Sequence, residues 1–125
     1  MNTPAADPIQ EQSDVDLRHT HALNSVGSIE VMRLTRLVKR ESDGLHFKGE
    51  PASSRGHLRK LKVTFVAGDA PSPGFDEASG SLHVFYSEHE RKKVEAVLLS
   101  KRQRYCYFWH SRNGVQRHAW LLSSP

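Results

Sequence analysis

Between Gln103 and Ser123, alternating runs flank the dipeptide Asn113-Gly114. The alternation predicts two β-strands. Asn-Gly between them predicts a two-residue type I′ turn, since both residues of that turn need positive φ. Such a turn sets the register: Arg112 faces Val115, Phe108 faces Ala119, and Tyr107 faces Trp120. One face of the ribbon then carries Tyr105, Tyr107, Trp109, His118, Trp120 and Leu122. The other carries Cys106, Phe108, His110, Arg117, Ala119 and Leu121. Both faces are adhesive, although a sheet needs only one for its core.

Upstream, residues 59–67 alternate sharply, with Leu61, Val63, Phe65 and Ala67 on one face and Lys60, Lys62 and Thr64 on the other. This predicts a half-buried strand with a basic outer face. Leu82 to Tyr86 predicts another. Ser87-Glu88-His89-Glu90 has the form of a capping box, and Val94, Val97 and Leu98 form an apolar stripe, so a helix is expected to about Lys101. Between Ser28 and Arg40 the apolar positions (Ile29, Val31, Met32, Leu34, Leu37, Val38) fit neither period well. A long strand is favoured because Glu41-Ser42-Asp43-Gly44 follows as a turn and Leu45 to Lys48 alternates again; a helix over 29–40 is the competing reading. Residues 49–56 and 68–80 read as loops, the latter long, flexible and rich in Pro and Gly. Residues 1–26 read as an acidic disordered tail, in which Asp7 and Pro8 would suit the start of a short helix to Leu17.

The expected fold is α+β: a largely antiparallel five- to six-stranded sheet with one main helix, in the order ββββαββ. It forms a single domain over 27–125. The succession of four strands and a helix is similar in order to the repeat unit of Whirly-type single-strand binders. That likeness is one of topology and involves no shared motif.

A chain of 125 residues accommodates one domain with a real core. It has no apolar run of spanning length, no basic leader followed by an apolar stretch, and one cysteine, all of which fit the cytoplasm. The net charge of +4 hides a gradient: Asp7, Glu11, Asp14 and Asp16 against Arg18 give the first 26 residues −3, leaving +7 for the rest. A basic body attracts polyanions through counterion release, though Lys and Arg also simply solvate small domains.

One short helix covers one face of a sheet. If the face with Cys106, Phe108, Ala119 and Leu121 lies under it, then Tyr105, Tyr107, Trp109 and Trp120 fall on the other side. Those rings have three possible uses: a second minicore beneath the 68–80 loop or the N-terminal segment, a protein or homodimer interface, or a stacking platform for nucleic acid. The leading expectation is a small non-enzymatic nucleic-acid-binding accessory protein favouring single-stranded DNA or RNA. Tyr105, Tyr107, Trp109 and Trp120 would supply the rings, and Lys92, Lys93, Arg102, Arg104 and Arg117 the phosphate contacts. The alternative is a protein-interaction module or homodimer using the same aromatic face. The acidic tail would compete with nucleic acid for the basic surface.

Other chemistry is weakly represented. There are eight histidines, but His19 and His21 lack further ligands at zinc spacing, and His110 and His118 fall on opposite faces of the ribbon. Cys106 is expected to point into the core as a small hydrophobe. Glu88 and Glu90 suit a helix start better than acid–base work. Phe75, beside Asp76 and Glu77, reads either as a partner contact or as a loop anchor. No phosphate loop, dinucleotide fingerprint or nucleophile elbow occurs, so neither cofactor nor metal is expected.

Overall fold

The computed structural model describes residues 27–124. The expected tail, its possible helix and the His19/His21 pair lie outside them. The described chain forms β1 (Gly27–Glu41), β2 (Gly44–Pro51), β3 (Lys60–Val66), β4 (Gly74–Asp76), β5 (Ser81–Ser87), α1 (Arg91–Leu98), β6 (Arg104–Ser111) and β7 (Arg117–Ser123). The fold is a mostly-sheet α+β arrangement. One seven-stranded sheet runs β4-β5-β3-β2-β1-β6-β7. All neighbours are antiparallel except β3 and β5, which run parallel. The sheet is therefore mixed and larger than expected, and five strands rather than four precede the helix. The addition is β4, within the segment read as a long loop. Three residues are too few to show a period, yet Phe75 there anchors on the core with its ring 5.4 Å from that of Phe108.

β1 explains its own ambiguous pattern. Its first half pairs with β6 and its second with β2, and the β2 ladder shifts register between Leu34 and Arg36 and again between Leu37 and Lys39. Each bulge inserts one residue and resets the alternation. Met32, Leu34 and Leu37 thus share the core side, while Arg33, Arg36 and Lys39 share the other, although Leu34 to Leu37, Arg33 to Arg36 and Arg36 to Lys39 each span three residues. Bulges also bend a strand, and here the bend helps the sheet curl around its core.

The core face carries Met32, Leu34, Leu45, Phe47, Leu61, Val63, Phe65, Leu82, Val84, Cys106, Phe108 and Leu121, all buried. Val94, Val97 and Leu98 of α1 pack onto it. Curling brings the sheet's two ends together: Phe75 of β4 meets Phe108 of β6, and residues 70–73, with Pro71 and Pro73, line a crevice with β5 and β7. Prolines beside an edge strand hinder further pairing. Helix α1 sits where β1, β3, β5 and β7 end. Arg40 reaches Glu95 at 3.8 Å, Arg91 lies 4.8 Å from the Phe65 ring centroid, and Arg104 donates to the carbonyl of Leu98. Among the described residues, no helix covers the opposite end, where those strands begin.

The helix is shorter than expected. Glu88–Glu90 forms a 3-10 turn, and α1 ends at Leu98. Ser87 Oγ donates to the Glu90 carboxylate at 3.4 Å but caps no backbone amide, so the two side chains meet without forming the expected capping box.

Candidate nucleic-acid interface

The hairpin has the expected register, with Phe108 opposite Ala119 and Tyr107 opposite Trp120. Its turn differs. Only Gly114 has positive φ (74°), and the ladder stops at His110 and Arg117. Asn113 Oδ1 instead accepts from Ser111 Oγ at 2.7 Å and from the Val115 amide at 3.0 Å. The Asn side chain thus closes a wider loop by imitating a backbone turn. Ser111 N still donates to Gln116 O, which preserves the register.

The expected binding residues do not form one surface. Tyr105 and Tyr107 are half-buried on the outer face, opposite Arg33 and Val31 of β1. Tyr105 donates its hydroxyl to Gln103 Oε1 at 2.6 Å. Trp109 and Trp120 share that face but are only 0 % and 3 % exposed, so neither offers a ring to a ligand in this conformation. A Cβ at position 27 would fall 2.5 Å from Trp109 Nε1, so the absent side chain of Gly27 lets the start of β1 approach the indole. His118 joins the two indoles, with ring centroids 5.6 Å from Trp109 and 6.3 Å from Trp120.

The cations are divided too. Lys92, Lys93 and Arg102 gather in a shallow groove beside α1. Arg104 is spent on structure, bonded to Leu98 and lying 5.6 Å from the Phe47 ring centroid. Arg117 faces the concave side, in the open end of the curl.

A more concentrated basic surface lies on the convex side of β1, β2, β3 and β5. Because Leu45, Phe47, Leu61 and Val63 point inward, their neighbours point out. Ladder pairing then aligns Arg36 with Lys48 and Lys48 with Lys60. The next row aligns Lys39, His46, Lys62 and His83. Adjacent strands lie about 4.8 Å apart, so these are close neighbours. Like charges directly opposite each other destabilise a sheet. Arg36, Lys48, Lys60 and Lys62 make no ion pair among the described residues.

Among the described residues, two carboxylates lie beside these rows. Glu50 bonds Arg33 at 2.9 Å. Glu41 bonds His46 and lies 3.8 Å from Lys39; the His46 hydrogen bond, then Lys39 and Lys62, holds its carboxyl below the ordinary range against partial desolvation. His83 is pushed below the usual imidazole value, first by burial and then by the charges of Lys62 and His46. Its Nε2 lies 2.8 Å from Thr64 Oγ1, and its ring centroid is 4.1 Å from that of Phe85. The basic rows are thus flanked by Phe85 on one side and by Tyr105 and Tyr107 on the other. Lys60 and Lys62 were legible as a basic strand face. The rest needed the strand order, which the alternation of any one strand does not disclose.

Cys106 is fully buried, and burial pushes its thiol up to about 12, so it does not act as a nucleophile at neutral pH. No cluster of three or more His, Cys, Asp or Glu able to hold a metal occurs among the described residues, nor is any of their helices long and apolar enough to cross a membrane. No protein-family model, curated protein or solved structure matches this chain.

Proposed function

We propose that this protein is a small, non-enzymatic, cytoplasmic accessory protein that binds single-stranded nucleic acid across the convex face of its sheet. The observation that carries the reading is the alignment of Arg36, Lys48 and Lys60 across neighbouring strands with no carboxylate paired to them among the described residues, and with Lys39 and Lys62 in the next row. Such an arrangement costs stability in the free protein. A polyanion converts it into attraction and gains the entropy of released counterions. The half-buried rings of Tyr105, Tyr107 and Phe85 border these cations, and rings can stack only on unpaired, splayed bases, which favours single strands over duplex. Within this reading Trp109 and Trp120, on the same face as the tyrosines, pack beside them without stacking on bases, while Lys92, Lys93 and Arg102 extend the basic surface around α1.

The test is fluorescence anisotropy of a labelled pyrimidine oligonucleotide over a salt series. Neutralising five phosphates gives a slope of log K against log salt of about −3.5 for a single strand, and replacing Lys48, Lys60 and Lys62 by Gln brings it to about −1.4. Tyr105→Ala with Tyr107→Ala weakens binding by about 1–3 kcal/mol per lost stack without changing oligomeric state. Absence of binding at low salt, or an affinity indifferent to both variants, overturns the reading. A dimer that dissociates in the tyrosine variant would replace it with the protein-interaction alternative.

A further inference from the structure

The open end of the curled sheet holds a cleft that the convex face does not explain. It lies where β1, β3, β5 and β7 begin and where β2, β4 and β6 finish, opposite the end closed by α1. Its volume is about 610 Å³, and Arg55, Arg112, Arg117, Phe75 and His110 line it together with the carboxylates of Glu30 and Glu77. That volume falls within the range of small-ligand sites, and the mouths of curled sheets are a common place for them.

Three features define what the cleft suits. Arg55, Arg112 and Arg117 bring three guanidinium groups to it, none in an ion pair among the described residues. The Nε of Arg117 is also buried without a hydrogen-bond acceptor, a state that costs free energy until an acceptor arrives. One of the two carboxylates is already committed: Glu30 accepts the His57 backbone amide at 2.5 Å and lies 3.7 Å from His57 Nδ1. The floor is built of rings, with Phe75 5.4 Å and His110 5.5 Å from Phe108, centroid to centroid. Phe75 and His110 are half-buried, so each retains accessible ring surface.

We propose that this cleft is a nucleotide site, in which the guanidinium groups bind phosphate and the Phe75/His110 floor takes the base. Guanidinium forks match phosphate oxygens two at a time, and a ring floor beside them selects a phosphate that carries a planar group over inorganic phosphate. The ligand is either a free mononucleotide or the 5′-phosphorylated end of a strand. The site lies on the opposite face of the sheet from Lys48, Lys60 and Lys62, so it does not depend on the convex platform.

The experiment is a calorimetric and NMR titration of the full chain with AMP and with inorganic phosphate, alongside anisotropy of one oligonucleotide bearing a 5′-phosphate or a 5′-hydroxyl. Saturable AMP binding that is tighter than that of inorganic phosphate supports a free nucleotide. Preference for the 5′-phosphate without AMP binding supports a strand end. In either case Arg112→Gln with Arg117→Gln lowers the AMP affinity, or the ratio of 5′-phosphate to 5′-hydroxyl oligonucleotide affinities, roughly tenfold or more, whereas Lys60→Gln with Lys62→Gln weakens both oligonucleotides together and leaves that ratio and the AMP affinity in place. Because Arg117 is half-buried, Arg55→Gln with Arg112→Gln, both at exposed positions, provides a second variant with the fold undisturbed. The proposal is overturned if neither AMP nor the 5′-phosphate is recognised, if inorganic phosphate binds as well as AMP, or if the lysine pair lowers the AMP affinity or the 5′-phosphate to 5′-hydroxyl ratio and both arginine pairs do not.

Discussion

His83 reports on the convex face. Its imidazole is held below the ordinary 6.5 by burial and by Lys62 and His46, so folding favours its neutral form. The linkage sign follows: this contribution is complete above 6.5 and declines as pH falls through that value toward the lower folded one. Glu41 acts in a separate window, because its lowered carboxyl stabilises the fold above 4.5 and that contribution is lost on further acidification. His83→Gln should therefore flatten the stability loss between about pH 7 and pH 5, measured by urea midpoint, and leave the more acidic limb in place. On the proposed function, a bound polyanion should offset the charge of Lys62 and raise the His83 pKa, which NMR titration of the ring with and without oligonucleotide checks. Other single residues were legible in part. The thiol of Cys106 is buried as its position in the alternation implies. The burial of Trp109 and Trp120 was not legible, because the alternation assigns a residue to a face and does not tell how much of that face is covered.

At the scale of elements, local chemistry chose the strand and the packing chose its details. Register in the terminal hairpin was readable because Asn113-Gly114 set the midpoint, and the wider loop kept the same midpoint. The type I′ turn was not realised, since Asn113 found side-chain and backbone partners that a tight turn would not provide. Gly114→Ala should cost only about 1 kcal/mol by chemical denaturation, because φ is positive there but no atom lies within 4 Å of the added Cβ. Gly44→Ala is a contrasting case: the new Cβ would fall 2.1 Å from the Val63 carbonyl oxygen, a backbone atom that cannot step aside without breaking the β2–β3 ladder. A loss of several kcal/mol, or failure to fold, is expected at Gly44, well beyond the loss at Gly114. β1 shows why a strand can hide in a sequence. The bulge after Leu34 keeps Leu37 on the inward side with Met32 and Leu34, and the one after Leu37 keeps Lys39 outward with Arg36, while together they erase the period that would have revealed the strand.

The convex face belongs to the molecule as a whole, since it exists only once β3 lies between β2 and β5. Lys60 faces Lys48 directly, and neither has a carboxylate partner among the described residues. A face whose lysines served solvation alone would gain nothing from this alignment, and opposite charges there would solvate equally well. Lys60→Glu therefore separates the two accounts. In the free protein it replaces a cross-strand repulsion with an attraction and should stabilise the fold by roughly 0.2–1 kcal/mol, most clearly at low salt. In the complex it places a negative charge against phosphate and should weaken oligonucleotide binding. Opposite signs in denaturant midpoint and anisotropy are what a stability cost retained for binding requires. If Lys60→Glu stabilises the protein and leaves binding intact, the alignment has no partner to serve and the convex face is ordinary solvated surface.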